Sequence, residues 1–393
     1  MTSPTLAATG AWTKTGDLPA AASWYGQSDG AVLLKSDKGV LLVGGTDAQG
    51  AAVNKTAVYS PTAKTWTAGA SLQFPRRLHT ATLLDSGKVL VVGGTGGSSP
   101  LSPGLTSVEL YNPADGTWKT VASLREARWG HSAVLLANKK VLVTGGVTTR
   151  SGDSVKALAS AEIYDTDADT WAAAKPMTDA RTGHGAVLFK GGQVLVAGGT
   201  APISGADAAS LAFCELYNPG TGPGTDTWTP AGSLLQPRSG HQAVLASDTT
   251  ALVIGGATPG APGDGTFDPF NSLTVERYDL ATDKWTALAT TPGGRGFHRV
   301  APLGSGKFLV IGGTADEHNG VGYQSTLIFD NGANTWSAAA GLAGGRWAFA
   351  ATALSDGKVL VTGGTVASGI AGADPQSAEL TRTTEVFSIG GPV

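Results

Sequence analysis

The chain contains a sevenfold repeat, and each unit is marked by an apolar run that ends in two glycines. The second glycines of these pairs lie 49 to 57 residues apart along the 393-residue chain. The seven runs are Val40–Gly45, Val89–Gly94, Val141–Gly146, Val194–Gly199, Ala251–Gly256, Phe308–Gly313 and Val359–Gly364. A repeat of about 50 residues indicates units that cannot bury a core alone and pack against their neighbours. We therefore expect one domain spanning residues 1–393.

Each unit has the pattern of four short strands. An Arg-x-x-His element precedes the first strand, the glycine pair ends the second, Tyr or Phe ends the third, and Trp lies in the fourth. The seventh unit has no Trp after Phe387, and Trp12 stands at the start of the chain without a unit of its own. The pattern predicts an all-β fold of seven four-stranded antiparallel blades closed in a ring. We expect a strand near residues 8–16 to complete the blade formed by residues 345–393.

The order Arg-x-x-His, Gly-Gly, Tyr and Trp resembles the kelch repeat, and the resemblance covers essentially the whole chain. It implies a seven-bladed kelch-type β-propeller similar to the central domain of galactose oxidase. That family binds copper through a tyrosine in the residue before the histidine, and this chain has no tyrosine there. The corresponding residues are Gly26, Leu78, Gly130, Gly183, Gly240, Phe297 and Ala348. The resemblance leaves the function open, because the fold serves enzymes, binders and protein-interaction domains.

Composition excludes several classes of protein. Charged residues make up 15% of the chain and the formal net charge is −3, so the basic surface of a nucleic-acid binder is absent. The single cysteine, Cys214, excludes an intramolecular disulfide and is expected to pack as a small buried residue. No apolar run is long enough to span a membrane. We expect a cytoplasmic monomer, with a secreted mature domain as the alternative location.

The repeat predicts one plain face and one elaborated face of the ring. The distance from the histidine to the second glycine is 15 residues in six units, counting Phe349 as the replacement for histidine in the last. From that glycine to the Tyr or Phe, the distance varies from 14 to 23 residues. Long, variable loops therefore join the second and third strands. We expect function on this loop-rich face, at the mouth of the central channel.

Histidine recurs at one equivalent position in five units, arginine in six and glutamate in five. A residue that recurs in this way is explained by the needs of the blade, so we predict no cofactor, with a metal ion at the ring of histidines as the less favoured alternative. The histidines are His79, His131, His184, His241 and His298. We expect a buried Arg–Glu pair inside each blade. In the first unit Trp24 aligns with the arginine and Ala57 with the glutamate, so both members of the pair are lost together.

The sixth unit departs from this pattern. It keeps Arg295 but has Leu327 where the glutamate is expected, and its long loop carries two carboxylates and a sixth histidine. Either one of these carboxylates replaces the missing glutamate, or the group binds a carboxylate substrate, holds a metal or performs acid–base chemistry. The catalytic candidates are Arg295, His298, Asp316, Glu317 and His318.

Aromatic residues supply a second irregular set. Three tryptophans lie within the Arg-x-x-His elements or their equivalents instead of in fourth strands. Such flat side chains near the channel mouth would stack on a sugar or another planar ligand, and packing between blades is the alternative. The candidate ligand-binding residues are Trp24, Tyr25, Trp129, Tyr323, Trp347 and Phe349.

Three functions are consistent with these residues. The favoured one is binding of a polar, carbohydrate-like small molecule at the mouth of the channel. The first alternative is an isomerase, lyase or cyclase, either cofactor-independent or metal-assisted, that uses the same pocket. The second alternative is a propeller that binds a protein or peptide, which predicts a broad open bowl. No nucleic-acid or membrane partner is expected.

Overall fold

The computed structural model describes residues 9–26, 28, 30–99, 102–150, 154–201, 209–222, 224–258, 272–315, 321–368 and 378–390. Within these ranges every regular element is a β-strand. The strands form seven four-stranded antiparallel sheets and three two-stranded hairpins. The predicted all-β, seven-bladed propeller is therefore confirmed.

Six blades are formed by strands that follow one another along the chain. Blade 1 contains Ala31–Leu33, Val40–Val43, Thr56–Ser60 and Thr65–Ala68, and blade 2 contains Thr80–Leu83, Val89–Val92, Val108–Asn112 and Thr117–Val121. Blade 3 contains Ser132–Leu135, Lys140–Thr144, Ala161–Asp165 and Thr170–Ala174, and blade 4 contains Gly185–Leu188, Val194–Ala197, Cys214–Asn218 and Thr227–Ala231. Blade 5 contains Gln242–Leu245, Thr250–Ile254, Val275–Asp279 and Lys284–Ala287, and blade 6 contains Arg299–Gly304, Lys307–Ile311, Thr326–Asp330 and Thr335–Ala339.

Blade 7 joins the two ends of the chain. Its strands, from the channel outwards, are Ala350–Ala353, Val359–Thr362, Thr384–Ser388 and Ala11–Thr15. Trp12 lies opposite Phe387 in the register, with ring centroids 5.2 Å apart. The indole Nε1 of Trp12 also donates a hydrogen bond to the oxygen of Ala340 at 2.8 Å. The predicted closure by an N-terminal strand is therefore observed.

The loop-rich face carries three extra hairpins between second and third strands, in blades 3, 4 and 7. They are Val147–Arg150 with Ser154–Ala157, Thr200–Ala201 with Ala209–Ser210, and Thr365–Ser368 with Ala378–Leu380. The first strand of each blade contacts the first strands of both neighbouring blades, so these strands line the central channel.

Burial decreases from the second strand of each blade to the fourth. The second strand of blade 1, Val40–Val43, is buried along its whole length, because both of its faces pack against neighbouring blades. The fourth strand, Thr65–Ala68, is mostly exposed. Cys214, on the third strand of blade 4, is fully buried, and this burial raises the pKa of its thiol to about 11. Among the described residues, no helix is long and apolar enough to cross a membrane.

We predict that Trp12→Ala lowers the free energy of unfolding by about 2–4 kcal/mol, because it removes the ring contact inside blade 7 and the hydrogen bond to Ala340, next to the fourth strand of blade 6. Urea denaturation measures the change. Lys14→Ala on the same strand is the matched control, since this side chain is 64% exposed, and its cost should stay within about 0.5 kcal/mol. Equal costs for the two variants would contradict closure through Trp12.

Candidate functional site

The Arg-x-x-His element of each blade joins that blade to the preceding one. The main-chain oxygen of Arg76 accepts a hydrogen bond from Gly45, the second glycine of blade 1, at 3.0 Å. The next residue, Arg77, then pairs with Thr95, which follows the glycine pair of blade 2. The element therefore lies on the loop-rich face, beside the ends of the second strands.

Five of these arginines form the expected buried ion pairs. Each guanidinium contacts the glutamate on the third strand of its own blade, and both side chains are at most 4% exposed. The pairs are Arg76–Glu109 (2.7 Å), Arg128–Glu162 (2.9 Å), Arg181–Glu215 (3.2 Å), Arg238–Glu276 and Arg346–Glu385 (2.7 Å). In blade 2 the carboxylate of Glu109 also accepts hydrogen bonds from the main-chain nitrogens of Gln73 and Phe74. The pairs thus hold the connection between adjacent blades.

We predict that Glu162→Gln lowers the free energy of unfolding by about 3 kcal/mol, because the variant removes the buried counter-ion of Arg128. Glu126 offers a matched control, since its carboxylate lies 3.7 Å from the same guanidinium but is 40% exposed. Glu126→Gln should cost less than about 1 kcal/mol. Equal losses in chemical denaturation would show that Arg128 is not held by the buried pair.

The five repeat histidines serve the same joints between blades. A Cβ on Gly255 of blade 5 would lie 2.8 Å from Cε1 of His298, and one on Gly313 of blade 6 would lie 2.8 Å from its Cβ. The imidazole is therefore held between the first glycine of one blade and the second glycine of the next. His298 is fully buried, and burial together with the nearby Arg295 charge lowers its pKa to about 3. It is neutral and enclosed at neutral pH.

Both glycines of each pair have left-handed backbones, for example φ of 56° at Gly44 and 107° at Gly45. Only glycine adopts such values without cost. Close contacts add a second reason: a Cβ on the first glycine would meet the ring of the next blade, and one on the second would meet the ring residue of its own blade. The glycine pair is thus required by the joint.

Of the five catalytic candidates, the structure describes Arg295 and His298, which lie close enough for the Arg295 charge to lower the pKa of His298. Arg295 is 3% exposed and is held by neutral groups: its Nη1 donates to the oxygen of Gly312 at 3.1 Å and its Nη2 to Oγ of Ser325 at 3.2 Å. The ring of Tyr323 covers the guanidinium at 5.3 Å. Asp316, Glu317 and His318 lie outside the described residues. In the part of the chain that the structure describes, no group of three or more His, Cys, Asp or Glu side chains is arranged to hold a metal ion.

We predict that His298→Phe weakens the acid sensitivity of folding. An unfolded histidine titrates near pH 6.5, whereas His298 in the folded protein has a pKa of about 3. Between these values the unfolded state binds a proton that the folded state excludes, so the free energy of unfolding falls as the pH falls. Removing one such site should reduce this dependence by about 1.4 kcal/mol per pH unit below pH 6. Urea denaturation from pH 5 to 7.5 measures it.

Phe is a suitable replacement because Phe349 already occupies the equivalent joint in blade 7, between Gly312 and Gly364. A variant whose unfolding shows the same pH dependence as the unsubstituted chain would contradict the buried neutral state of His298.

Two of the predicted ligand-binding aromatics pack inside joints instead of at the channel mouth. Phe349 is fully buried and Trp24 is 4% exposed. The indole of Trp24 lies against Gly363 and Gly45, where other blades place their imidazole, and its Nε1 donates to the oxygen of Val43 at 3.1 Å. These two residues therefore pack between blades, which was the alternative to ligand binding.

The structure also corrects the alignment of blade 1. The main-chain oxygen of Ala22 accepts the hydrogen bond from Gly364 that an arginine accepts in the other joints. Ser23 then pairs with Thr46, as Arg77 pairs with Thr95. Ala22, and not Trp24, therefore stands in the arginine position. The indole of Trp24 reaches the imidazole site from a backbone position one residue earlier than the histidine.

Three aromatic rings form a cluster at the loop-rich end of the channel. Tyr25, Phe297 and Trp347 contact one another with ring centroids 5.4 to 5.7 Å apart. Tyr25 and Phe297 are partly exposed, while Trp347 is 2% exposed. We call these three residues the mouth cluster.

Phe297 is the member of the mouth cluster that sequence reasoning missed. It lies directly before His298 and has a left-handed backbone, with φ of 49°. The equivalent positions in blades 3, 4 and 5 are Gly130, Gly183 and Gly240, all with φ between 60° and 63°. A bulky residue where three other units have glycine was the available signal.

The remaining aromatic candidates lie elsewhere on the same face. Trp129 pairs with Val147 in blade 3, as Trp347 pairs with Thr365 in blade 7. Tyr323 is engaged with Arg295. Among the ring contacts of the described residues, neither Trp129 nor Tyr323 joins the mouth cluster.

Within the ring, first strands of several blades enclose a cavity of about 160 Å³ with polar groups including His131, Ser132 and Gln242.

Comparison with known proteins now decides the family. A model described as the KLHDC2/KLHL20/DRC7 Kelch-repeats domain matches residues 130–364, and a Kelch motif matches residues 76–125. The chain belongs to the kelch-repeat family. Kelch-like protein 34 of Homo sapiens is 32% identical over 200 residues, covering 50% of this chain and 28% of that protein. Kelch-like protein 35 of Mus musculus is 27% identical over 304 residues, covering 75% and 44%.

These matches span less than half the length of the curated kelch relatives. Among solved structures, a fungal alcohol oxidase of the AA5 family in complex with copper aligns with a TM-score of 0.68 and 17% identity, covering 97% of this chain and 76% of that one. The structure of YjhT aligns with a TM-score of 0.57 and 14% identity, covering 80% and 95%. At such identities the likeness establishes the kelch propeller fold alone.

Proposed function

We propose that this kelch propeller binds a polar, ring-bearing small molecule of carbohydrate-like chemistry at the loop-rich mouth of its channel. The observation that carries the proposal is the mouth cluster of Tyr25, Phe297 and Trp347. Aromatic faces of this kind stack on the apolar faces of sugar rings and on planar groups.

The backbone of Phe297 supports a functional role for the cluster. A left-handed backbone costs a non-glycine residue about 1–2 kcal/mol, and glycine at this position in three other blades avoids that cost. Strain of this kind persists where the surrounding structure holds it, and it is concentrated at binding sites. Leu78 of blade 2 and Ala348 of blade 7 have the same conformation, so what distinguishes Phe297 is the aromatic ring that it adds to the mouth cluster.

Polar groups beside the cluster would orient such a ligand. The hydroxyl of Tyr25 lies 3.4 Å from Oγ1 of Thr365, which belongs to the extra hairpin of blade 7. Thr365 is fully buried and holds Tyr25 in place, so the Tyr25 hydroxyl is the group that a sugar hydroxyl would meet. Tyr25 thus combines an aromatic face with a hydrogen-bonding end, a combination common in ligand sites.

An enzyme that uses the same pocket is the second candidate function. His298 is buried and neutral, so it is poorly placed to exchange protons with a substrate. Arg295 is enclosed by Gly312, Ser325 and Tyr323. The enzyme proposal therefore depends on Asp316, Glu317 and His318.

A protein or peptide partner is favoured by one observation on the same face. Val321, at the edge of the blade 6 loop, is 71% exposed and pairs through its backbone with Ala367 of the blade 7 hairpin. A peptide that crosses blades 6 and 7 would contact Val321, whereas a single sugar ring on the mouth cluster would not. Binding that depends on Val321 would therefore indicate this second mode.

We predict that Phe297→Gly weakens binding of the active saccharide at least tenfold while the free energy of unfolding changes by less than about 1 kcal/mol, because relief of backbone strain offsets the lost ring contacts. The probes are a panel of neutral and acidic mono- and disaccharides, screened by saturation-transfer NMR and titrated by calorimetry.

Leu78→Gly is the matched control. Leu78 has the same left-handed backbone, with φ of 54°, but belongs to blade 2 outside the cluster. This variant should keep the affinity of the unsubstituted chain. Absence of any saccharide binding, or an equal loss in the two variants, would count against the mouth cluster as a sugar site.

A further inference from the structure

Blade 1 contains a cavity where other blades hold their Arg–Glu pair. Its volume is about 180 Å³, and its walls include Ala22 and Ala57, which stand in the arginine and glutamate positions. Trp24, Leu42 and Gly44 complete the inner wall. We call this cavity the vacant slot. It is separate from the mouth cluster, none of whose residues line it.

The vacant slot reflects a coordinated change of three partners. In blade 2 the carboxylate of Glu109 accepts hydrogen bonds from Arg76 and from the main-chain nitrogen of Gln73, three residues before the arginine. The equivalent of Gln73 in blade 1 is Pro19, which has no N–H to donate. The cation, the carboxylate and this main-chain donor are therefore all absent from blade 1. The second donor to Glu109 in blade 2, the main-chain nitrogen of Phe74, corresponds to that of Ala20, which is exposed to solvent.

The hydrogen-bond acceptors for a guanidinium nevertheless remain. In blade 2, Nη1 of Arg76 donates to the main-chain oxygens of Gly93 at 2.7 Å and Ser107 at 3.1 Å. The equivalent oxygens in blade 1 belong to Gly44 and Lys55, since Gly44 donates to Lys55 as Gly93 donates to Ser107. Both residues line the vacant slot.

Blade 6 provides an internal precedent for a guanidinium in a slot without the repeat glutamate. There, Leu327 replaces the glutamate and Pro292 stands where Pro19 stands in blade 1. The guanidinium of Arg295 is still held in this slot by the oxygen of Gly312, by Ser325 and by the ring of Tyr323. A main-chain acceptor and an aromatic ring thus hold the group.

We propose that the vacant slot binds the guanidinium group of a small molecule through the main-chain oxygens of Gly44 and Lys55, with the apolar stem of the ligand against Leu42 and Ala57. The planar N–H donors of a guanidinium match the retained acceptors. The side chain of Lys55 is exposed, so its charge is screened by solvent. Without a carboxylate in the slot, affinity for a ligand of this size is on the order of millimolar.

The test is a titration of the full chain with propylguanidinium, with propylurea as the neutral analogue of the same shape. Binding is followed by NMR through the indole N–H of Trp24, which lines the slot. Propylguanidinium should shift this resonance in a saturable manner, and propylurea should bind at least fivefold more weakly. Equal affinity for the two probes, or no saturable shift with propylguanidinium, would overturn the proposal.

Four variants refine this test. Ala22→Arg restores the internal guanidinium and should abolish binding, whereas Ala63→Arg, at an exposed turn outside the slot, should leave it unchanged. Ala57→Glu restores the carboxylate and should tighten binding at least tenfold. If Ala57→Glu fails to fold, Ala57→Gln supplies a neutral acceptor and should tighten binding less. Binding that persists in Ala22→Arg would place the ligand elsewhere and overturn the proposal.

Discussion

A buried ring held between two left-handed glycines joins each blade to its neighbour, and the rest of the propeller depends on this joint. In five joints the ring is a neutral imidazole such as His298, and in the other two it is Phe349 or Trp24. Because tryptophan and phenylalanine replace histidine at this site, shape and burial matter there more than protonation. In five blades an adjacent Arg–Glu pair also holds the connecting segment, so these blades are fixed to their neighbours by a packed ring and by an ion pair.

Most of this architecture could be predicted from the sequence, because a repeated joint leaves a repeated signature. Spacing alone predicted the strands, the closure by Trp12 and the pairing of Glu109 with its arginine. The sequence aligned Trp24 with the arginine of the other blades, whereas the structure places Ala22 there. Trp24 fills the imidazole site from another backbone position, and spacing does not reveal this substitution. Phe297 was missed because its own residue type does not reveal its left-handed φ, and only the glycines at the equivalent positions of three other units indicate that angle.

Candidate function lies where the joints depart from the repeat. Blades 6, 7 and 1 are consecutive around the ring, and they contribute Phe297, Trp347 and Tyr25 to the mouth cluster. Blade 1 also carries the vacant slot, and blade 6 carries Arg295 without its repeat glutamate. Blades 2 to 5, by contrast, keep both the Arg–Glu pair and the histidine of the joint.

The ten tryptophans offer the most direct test of a binding site at the mouth cluster. Seven of them lie in the fourth strands and three in the joint elements. The measurement is an indole ¹H–¹⁵N NMR spectrum of the protein with and without the saccharide that binds it. Binding at the mouth cluster predicts that the Trp347 resonance shifts while those of Trp118, Trp171 and Trp228 stay in place. Shifts confined to the outer tryptophans, with Trp347 unchanged, would contradict it.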